Sequence, residues 1–245
     1  MSAAIAIGGS VSIRSRQSVR ARELRSFPPL MLWAWDRRED LGFIDTHRVG
    51  VAYLASTIYL EGDGFAVRPR QQPLAVPRDT VVIAVARIEA RRRPALSASQ
   101  RAAAARAIAR LMVFNPAAIQ IDFDATRSQR AFYRDVLVDV RRRLPATMPL
   151  TIAALASWCI HDDWIADLPI DEAVPMLYRM GPETAGIASY LEQGGDFMPQ
   201  LSRASVGIAL DEPSIATPAG RRIYLFSPRA WTRQEFVGVS SEVTR

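Results

Sequence analysis

Eight short apolar runs recur along the chain, and their spacing constrains the fold more than any other feature. They are 30–35, 49–54, 80–88, 118–123, 150–155, 172–178, 204–210 and 222–226. Each is too short for a buried helix, and several are rich in Val and Ile. Strands covered on both faces read as such continuous runs, because neither face meets water. Helical patterns separate most of them. Ser97 opens an Ala-rich stretch to Val113, and Ser128–Arg143 places Phe132, Val136 and Val140 four apart. Glu183–Gln193 ends at Gly194-Gly195, and Pro228–Val237 makes a last helix. A short, helical link is expected from Asp162 to Leu168. The segment 56–70 departs from the alternation and reads as a β-hairpin turning at Glu61-Gly62-Asp63-Gly64. Eight strands with mostly helical crossovers predict a single α/β domain, a (β/α)8 TIM-type barrel over 29–245, with a hairpin after the second strand. The rival is an open doubly wound sheet. It would want a Gly-rich turn after the first strand, where Trp35-Asp36-Arg37 stands instead.

The net charge of +6 invites a nucleic-acid reading, which the distribution argues against. There is no lysine; all 31 basic residues are arginine and are dispersed along the chain. No nucleic-acid partner is expected. One cysteine, Cys159, excludes an intrachain disulfide, and with only His47 and His161 a structural zinc site is not expected. No apolar run reaches the roughly 18 to 20 residues of a membrane span. Residues 1–28 are set outside the barrel as a disordered tail or a degenerate export segment. An export role would place the protein in the cell envelope or periplasm; otherwise it is cytoplasmic. Oligomeric state is not readable.

In such a barrel the working residues lie at the C-terminal ends of the strands. Those ends carry Trp35, Glu89, Asp122 and Asp124, Trp158, Tyr178 with Arg179, and Asp211. The fourth strand is the most informative. Gln120, Asp122 and Asp124 alternate, so all three share one face while Ile121 and Phe123 face the helices. Neighbouring carboxylates repel, and one then tends to keep a proton, as a general acid must. The alternative is a structural pair, one capping the next helix and one pairing an arginine such as Arg87. Trp33 and Trp35 share a face, so one is expected at the rim while the other packs. No cofactor is expected, nor a metal: Asp122 and Asp124 supply too few oxygens for a hard cation.

Ala117-x-x-Gln120-x-Asp122-x-Asp124 resembles the strand-four motif Asp-x-x-Asp-x-Asp-x-Glu of the chitinase-like, family eighteen glycoside hydrolases. Met176-Leu177-Tyr178 resembles their strand-six Met-x-Tyr. The resemblance implies Asp124 as acid, Asp122 as the residue positioning a substrate acetamide, and Tyr178 as its hydrogen-bond partner. This sequence departs from the motif at Ala117, at Gln120, at Asp124 in place of glutamate, and at Arg179 in place of aspartate. Over most of the chain after residue 29, the strings 31–35, 120–126, 154–159 and 172–176 are similar to an uncharacterised bacterial domain family grouped with barrel-type glycoside hydrolases. The expectation is a carbohydrate-active barrel, glycoside hydrolase-like, acting on a polysaccharide or oligosaccharide, N-acetylated by the resemblance. Gln120, Trp35, Trp158, Arg179, Glu89 and Asp211 are the expected substrate contacts. The alternatives are a non-catalytic glycan-binding barrel and a metal-assisted hydrolase or lyase. They divide on whether Asp124 is free in the cleft or locked to Arg87 or Arg179.

Overall fold

The computed structural model describes residues 16–243. A helix over residues 16–25, α1, leads into β1 (Leu30–Ala34). Then follow β2 (Glu39–Asp40), β3 (Val49–Glu61), β4 (Gly64–Pro69), β5 (Leu74–Ala75) and β6 (Val82–Arg91). The rest alternates: α2 (Ala98–Ala109), β7 (Ala118–Asp122), α3 (Arg130–Arg143), β8 (Leu150–Leu155), α4 (Ala156–Ile160), β9 (Glu172–Met176), α5 (Thr184–Glu192), β10 (Ser205–Ala209), β11 (Arg222–Phe226) and α6 (Arg233–Val243).

β1, β3, β6, β7, β8, β9, β10 and β11 form a parallel ladder in that order, and β1 pairs with both β11 and β3. The sheet therefore closes on itself as an eight-stranded barrel. Alternation divides the side chains into two layers. Met31, Trp33, Ile83, Val85, Ala118, Val174 and Tyr224 fill the interior. Ile119, Ile121 and Phe123 pack outward against Phe132, Tyr133 and Val136 of α3. Gly50 of β3 is required by the interior packing: a Cβ there would lie 2.6 Å from Met31 Sδ and 3.0 Å from Val81 O.

The hairpin of the sequence reading is present, and it grows from the barrel itself. β3 runs unbroken from the barrel wall into the hairpin, with a bulge between Leu54 and Ser56 that keeps it paired with β6 as far as Glu61 and Arg91. β4 returns antiparallel to it. Buried Gln100 on α2 donates from Nε2 to Gly62 O and Gly64 O (2.9 and 2.7 Å), tying the turn to the body. Ser97 caps α2 through a capping box with Gln100.

Three expectations change. The helical turn after β8 is α4, not 162–168, because the chain coils directly out of Leu155. Asp162 then takes the Trp164 N–H at 3.0 Å and holds the link as a turn. The last helix starts at Arg233 rather than Pro228, since Thr232 Oγ1 accepts from Glu235 N (3.2 Å) and caps it there.

Residues 16–28, set outside the barrel in the sequence reading, lie against its floor. Leu24 and Phe27 are 3% and 6% exposed. Arg20 pairs with Asp171 at 2.7 Å, and Arg222 donates to Leu24 O and, at 3.1 Å, to Pro28 O. Physically, the floor holds a buried ion pair, Arg222–Glu172 at 3.1 Å with Ser205 on the same carboxylate, and α1 covers it from water. The export expectation falls mostly on residues 1–15, outside the described residues. Among the described residues no helix is long and apolar enough to cross a membrane.

Candidate functional site

The mouth is organised around Arg87, which leaves β6 beside Asp122 of β7. Its Nη1 donates to Asp122 Oδ2 at 2.6 Å, its Nη2 approaches Asp124 Oδ2 at 3.4 Å, and its Nε lies 3.5 Å from Glu89 Oε1. The guanidinium rests over the Trp35 ring, 5.4 Å from its centroid. One cation thus joins three of the expected site acids and one expected aromatic.

The two aspartates differ in environment. Asp122 has a side chain only 5% exposed, whereas Asp124, beyond the strand end, is 46% exposed. Burial pushes the Asp122 carboxyl up to about 6; Arg87 pulls it down and the Asp124 and Glu89 charges push it up again. Burial alone would lower Arg87, but Asp122, Asp124 and Glu89 outweigh it and hold the guanidinium firmly protonated. Asp122 Oδ1 is buried and forms no hydrogen bond within the described protein.

Beneath Asp122, Gln120 is fully buried and accepts from Trp33 Nε1 at 3.2 Å, leaving its own Nε2 without a protein partner. It belongs to the barrel interior rather than to the solvated mouth. Two residues back along a strand is roughly 7 Å deeper. Tyr178, just past β9, stacks on Phe226 (5.6 Å, 8°) and meets Trp33 edge-on at 6.1 Å. Burial first, then the charges of Asp122 and Asp124, hold its hydroxyl well above the ordinary value. The structure therefore brings Tyr178, Asp122, Asp124, Trp35 and Glu89 together around Arg87.

Arg179 extends this group. Its guanidinium lies 4.7 Å over the Phe226 ring, and its backbone N–H donates to both carboxylate oxygens of Glu212 at 3.0 Å. Asp211 is exposed and takes no part in these contacts; its neighbour Glu212 does. Trp158 is not brought to the mouth. It is 3% exposed on α4 and packs edge-on against Trp164 at 5.0 Å in the outer layer, so no ring face is open to a ligand. Cys159 beside it is buried, which pushes its thiol up to about 12 and leaves it a packing residue.

A cavity of about 380 Å³ opens on the β6–β7 side of the mouth, lined by Arg87, Glu89, Arg91, Asp124, Thr126 and Gln129. A larger one, about 770 Å³, lies at the opposite end between α1 and the starts of β9 and β11. The smaller cavity holds two strand-end carboxylates, Glu89 and Asp124, at the end of the barrel where such folds carry their chemistry. Among the described residues no group of three or more His, Cys, Asp or Glu could hold a metal ion.

Sequence reasoning treated Arg87 only as a pairing partner, although its place at the end of the third strand was visible. Glu212 stands with Asp211 at the end of the seventh strand but was given no role, and Phe226 was missed. Phe226 closes the eighth run, a strand end that could have been counted with the others.

No family model and no curated protein sequence matches the chain. Among solved structures it is similar to the chitinase domain of the spore coat protein CotE from Clostridium difficile. That match has 14% identity and a TM-score of 0.45, over 78% of this chain and 67% of that one. It is also similar to the Bacillus cereus spore cortex-lytic enzyme SleL, with 14% identity and a TM-score of 0.44, over 88% of this chain and 58% of that one. This chain thus spans about two thirds of the first and less of the second. The barrel stands on its own closed ladder of eight strands.

Proposed function

We propose that this chain is a carbohydrate-active barrel that binds a polysaccharide at its C-terminal mouth, and that the mouth favours binding over cleavage. The observation that carries this is Arg87, whose guanidinium pairs with Asp122 and Asp124 while lying over Trp35. Aromatic faces and fixed polar groups side by side are what sugar recognition needs, since a sugar ring offers both apolar C–H faces and hydroxyls. A general acid has different needs: a carboxyl enclosed in apolar surroundings that keep it neutral. Asp124 is open to water and shares a cation instead. It is also one C–C bond, about 1.5 Å, shorter than the glutamate of the family it resembles. Misplacement of that size costs on the order of a hundredfold in rate. Nucleic acid is a poorer ligand for this surface, because many arginines are committed to carboxylates, among them Arg20, Arg37, Arg101 and Arg130.

Cleavage has one specific observation behind it: Asp122 is held near 6, so part of its population carries a proton at neutral pH. A screen of soluble glycans for both binding and reducing-end release separates the readings, with Asp124→Asn alongside. Binding without release, changed less than a few-fold in the variant, is the expected result. Release that drops a hundredfold or more in the variant would establish the hydrolase. A protein that binds no glycan would sink both.

A further inference from the structure

Arg179 is held at the mouth by its backbone and by a ring rather than by an ion pair. Its backbone is left-handed, with φ +53°, a conformation a residue with a Cβ rarely adopts. Glu212 holds it there, spending both carboxylate oxygens on the Arg179 backbone N–H. The side chain is then stacked on Phe226. The residue is exposed, and among the described residues its guanidinium has no ion-pair partner. A strained backbone, a clamp and a stacked head describe a cation held in one place rather than one waving in solvent.

Its position gives the ligand class. Phe226 touches Trp35 edge-on at 6.1 Å, and Trp35 carries Arg87. At the mouth Trp35 and the buried Phe226 adjoin, and each has a guanidinium over its ring. Arg87 is already matched by Asp122, Asp124 and Glu89. Among the described residues Arg179 has no carboxylate within ion-pair distance of its guanidinium, Glu212 being turned onto its backbone N–H, so a ligand lying along Trp35 meets a planar fork at one end. A planar fork of N–H donors suits a carboxylate, which it can bind through two parallel hydrogen bonds.

We infer that the polysaccharide bound at this mouth is an acidic one, bearing uronate carboxylates, and that Arg179 receives one of them. This rests on the carbohydrate reading above and narrows it to a substrate class. The neutral N-acetylated glycan that the family resemblance implies would leave Arg179 without a partner.

The test compares polygalacturonate, fully methyl-esterified polygalacturonate, a neutral chitooligosaccharide and polyglutamate as ligands for the wild type and for Arg179→Gly. Glycine adopts positive φ at no steric cost, so this variant removes the guanidinium without straining the backbone. Circular dichroism and thermal unfolding confirm that it folds. The wild type is expected to bind polygalacturonate at least tenfold more tightly than its ester, the chitooligosaccharide or polyglutamate. Arg179→Gly should lose about tenfold toward polygalacturonate and change less than twofold toward the neutral ligands. Three results would overturn the inference while leaving the carbohydrate reading intact: equal affinity for the ester, tighter binding of the chitooligosaccharide, or unchanged polygalacturonate binding in the variant. Polyglutamate bound as tightly as polygalacturonate would reduce the effect to bulk charge and overturn it too. If neither class of glycan binds, both the inference and the carbohydrate reading fall.

Discussion

Replacing Asp122 by Asn should change how stability depends on pH. Asp122 sits near 6 in the folded protein, against 3.8 for an ordinary aspartate. A carboxyl whose folded value is raised binds more protons in the native state than in the unfolded one between those two pH values. Stability therefore falls as pH rises through that window and levels off above it. The rise from 3.8 to about 6 gives a penalty of about 3 kcal/mol at pH 7 that shrinks to about 0.5 kcal/mol at pH 4 and vanishes below about pH 3. Asn cannot ionise, so the variant escapes this penalty. It also leaves Arg87 with Asp124 and Glu89 at 3.4 and 3.5 Å, which adds a cost on a different footing. The decisive quantity is the slope of the difference, not its baseline. Urea unfolding of both proteins at half-unit steps from pH 4 to 7.5 measures it. The wild type should lose about 2 kcal/mol relative to Asp122→Asn between pH 4 and 6.5, and only a few tenths more above that. A difference flat to within about 0.5 kcal/mol, or one favouring the wild type as pH rises, would refute the placement of a buried, proton-holding Asp122.

Other perturbations follow from the same structure. Arg222→Met leaves Glu172 buried without its cation and should cost about 3–5 kcal/mol by denaturant unfolding. Leu24→Ala, in the segment first set outside the barrel, should cost about 2–4 kcal/mol, whereas a true tail would tolerate it with no change. The Cys159 thiol, pushed up to about 12 by burial, should react with a maleimide in native protein only as fast as the surrounding core opens, and rapidly in denaturant.

The barrel was legible because its signal is periodic and redundant: eight apolar runs match the eight barrel strands. The inner and outer faces of β7 were legible for the same reason, since Ile119, Ile121 and Phe123 alternate with Gln120 and Asp122. What alternation does not carry is depth, and so Gln120 was placed at the mouth when it lies one layer below. Trp158 was misplaced because a strand end was assumed to continue upward; the chain coils into α4 immediately and carries the ring outward. α1 was hidden by its arginines, which read as a solvated tail although Arg20 pairs with Asp171 on the barrel floor. The role of Arg87 depended on three acids from two strands meeting one guanidinium, and no local pattern encodes that meeting.

The five tryptophans offer the most direct check on the site. Trp35 lies at the mouth under Arg87, and Trp33 lies just below on Gln120. Trp158 and Trp164 pack together outside the barrel, and Trp231 is buried with its Nε1–H on Trp33 O. Their indole N–H resonances in a ¹H–¹⁵N spectrum can be followed as an acidic oligosaccharide is added. The account predicts a large, saturable shift at Trp35, a smaller one at Trp33, and stationary signals for Trp158 and Trp164. Shifts confined to Trp158 and Trp164, or no shift at Trp35 at saturating ligand, would contradict it.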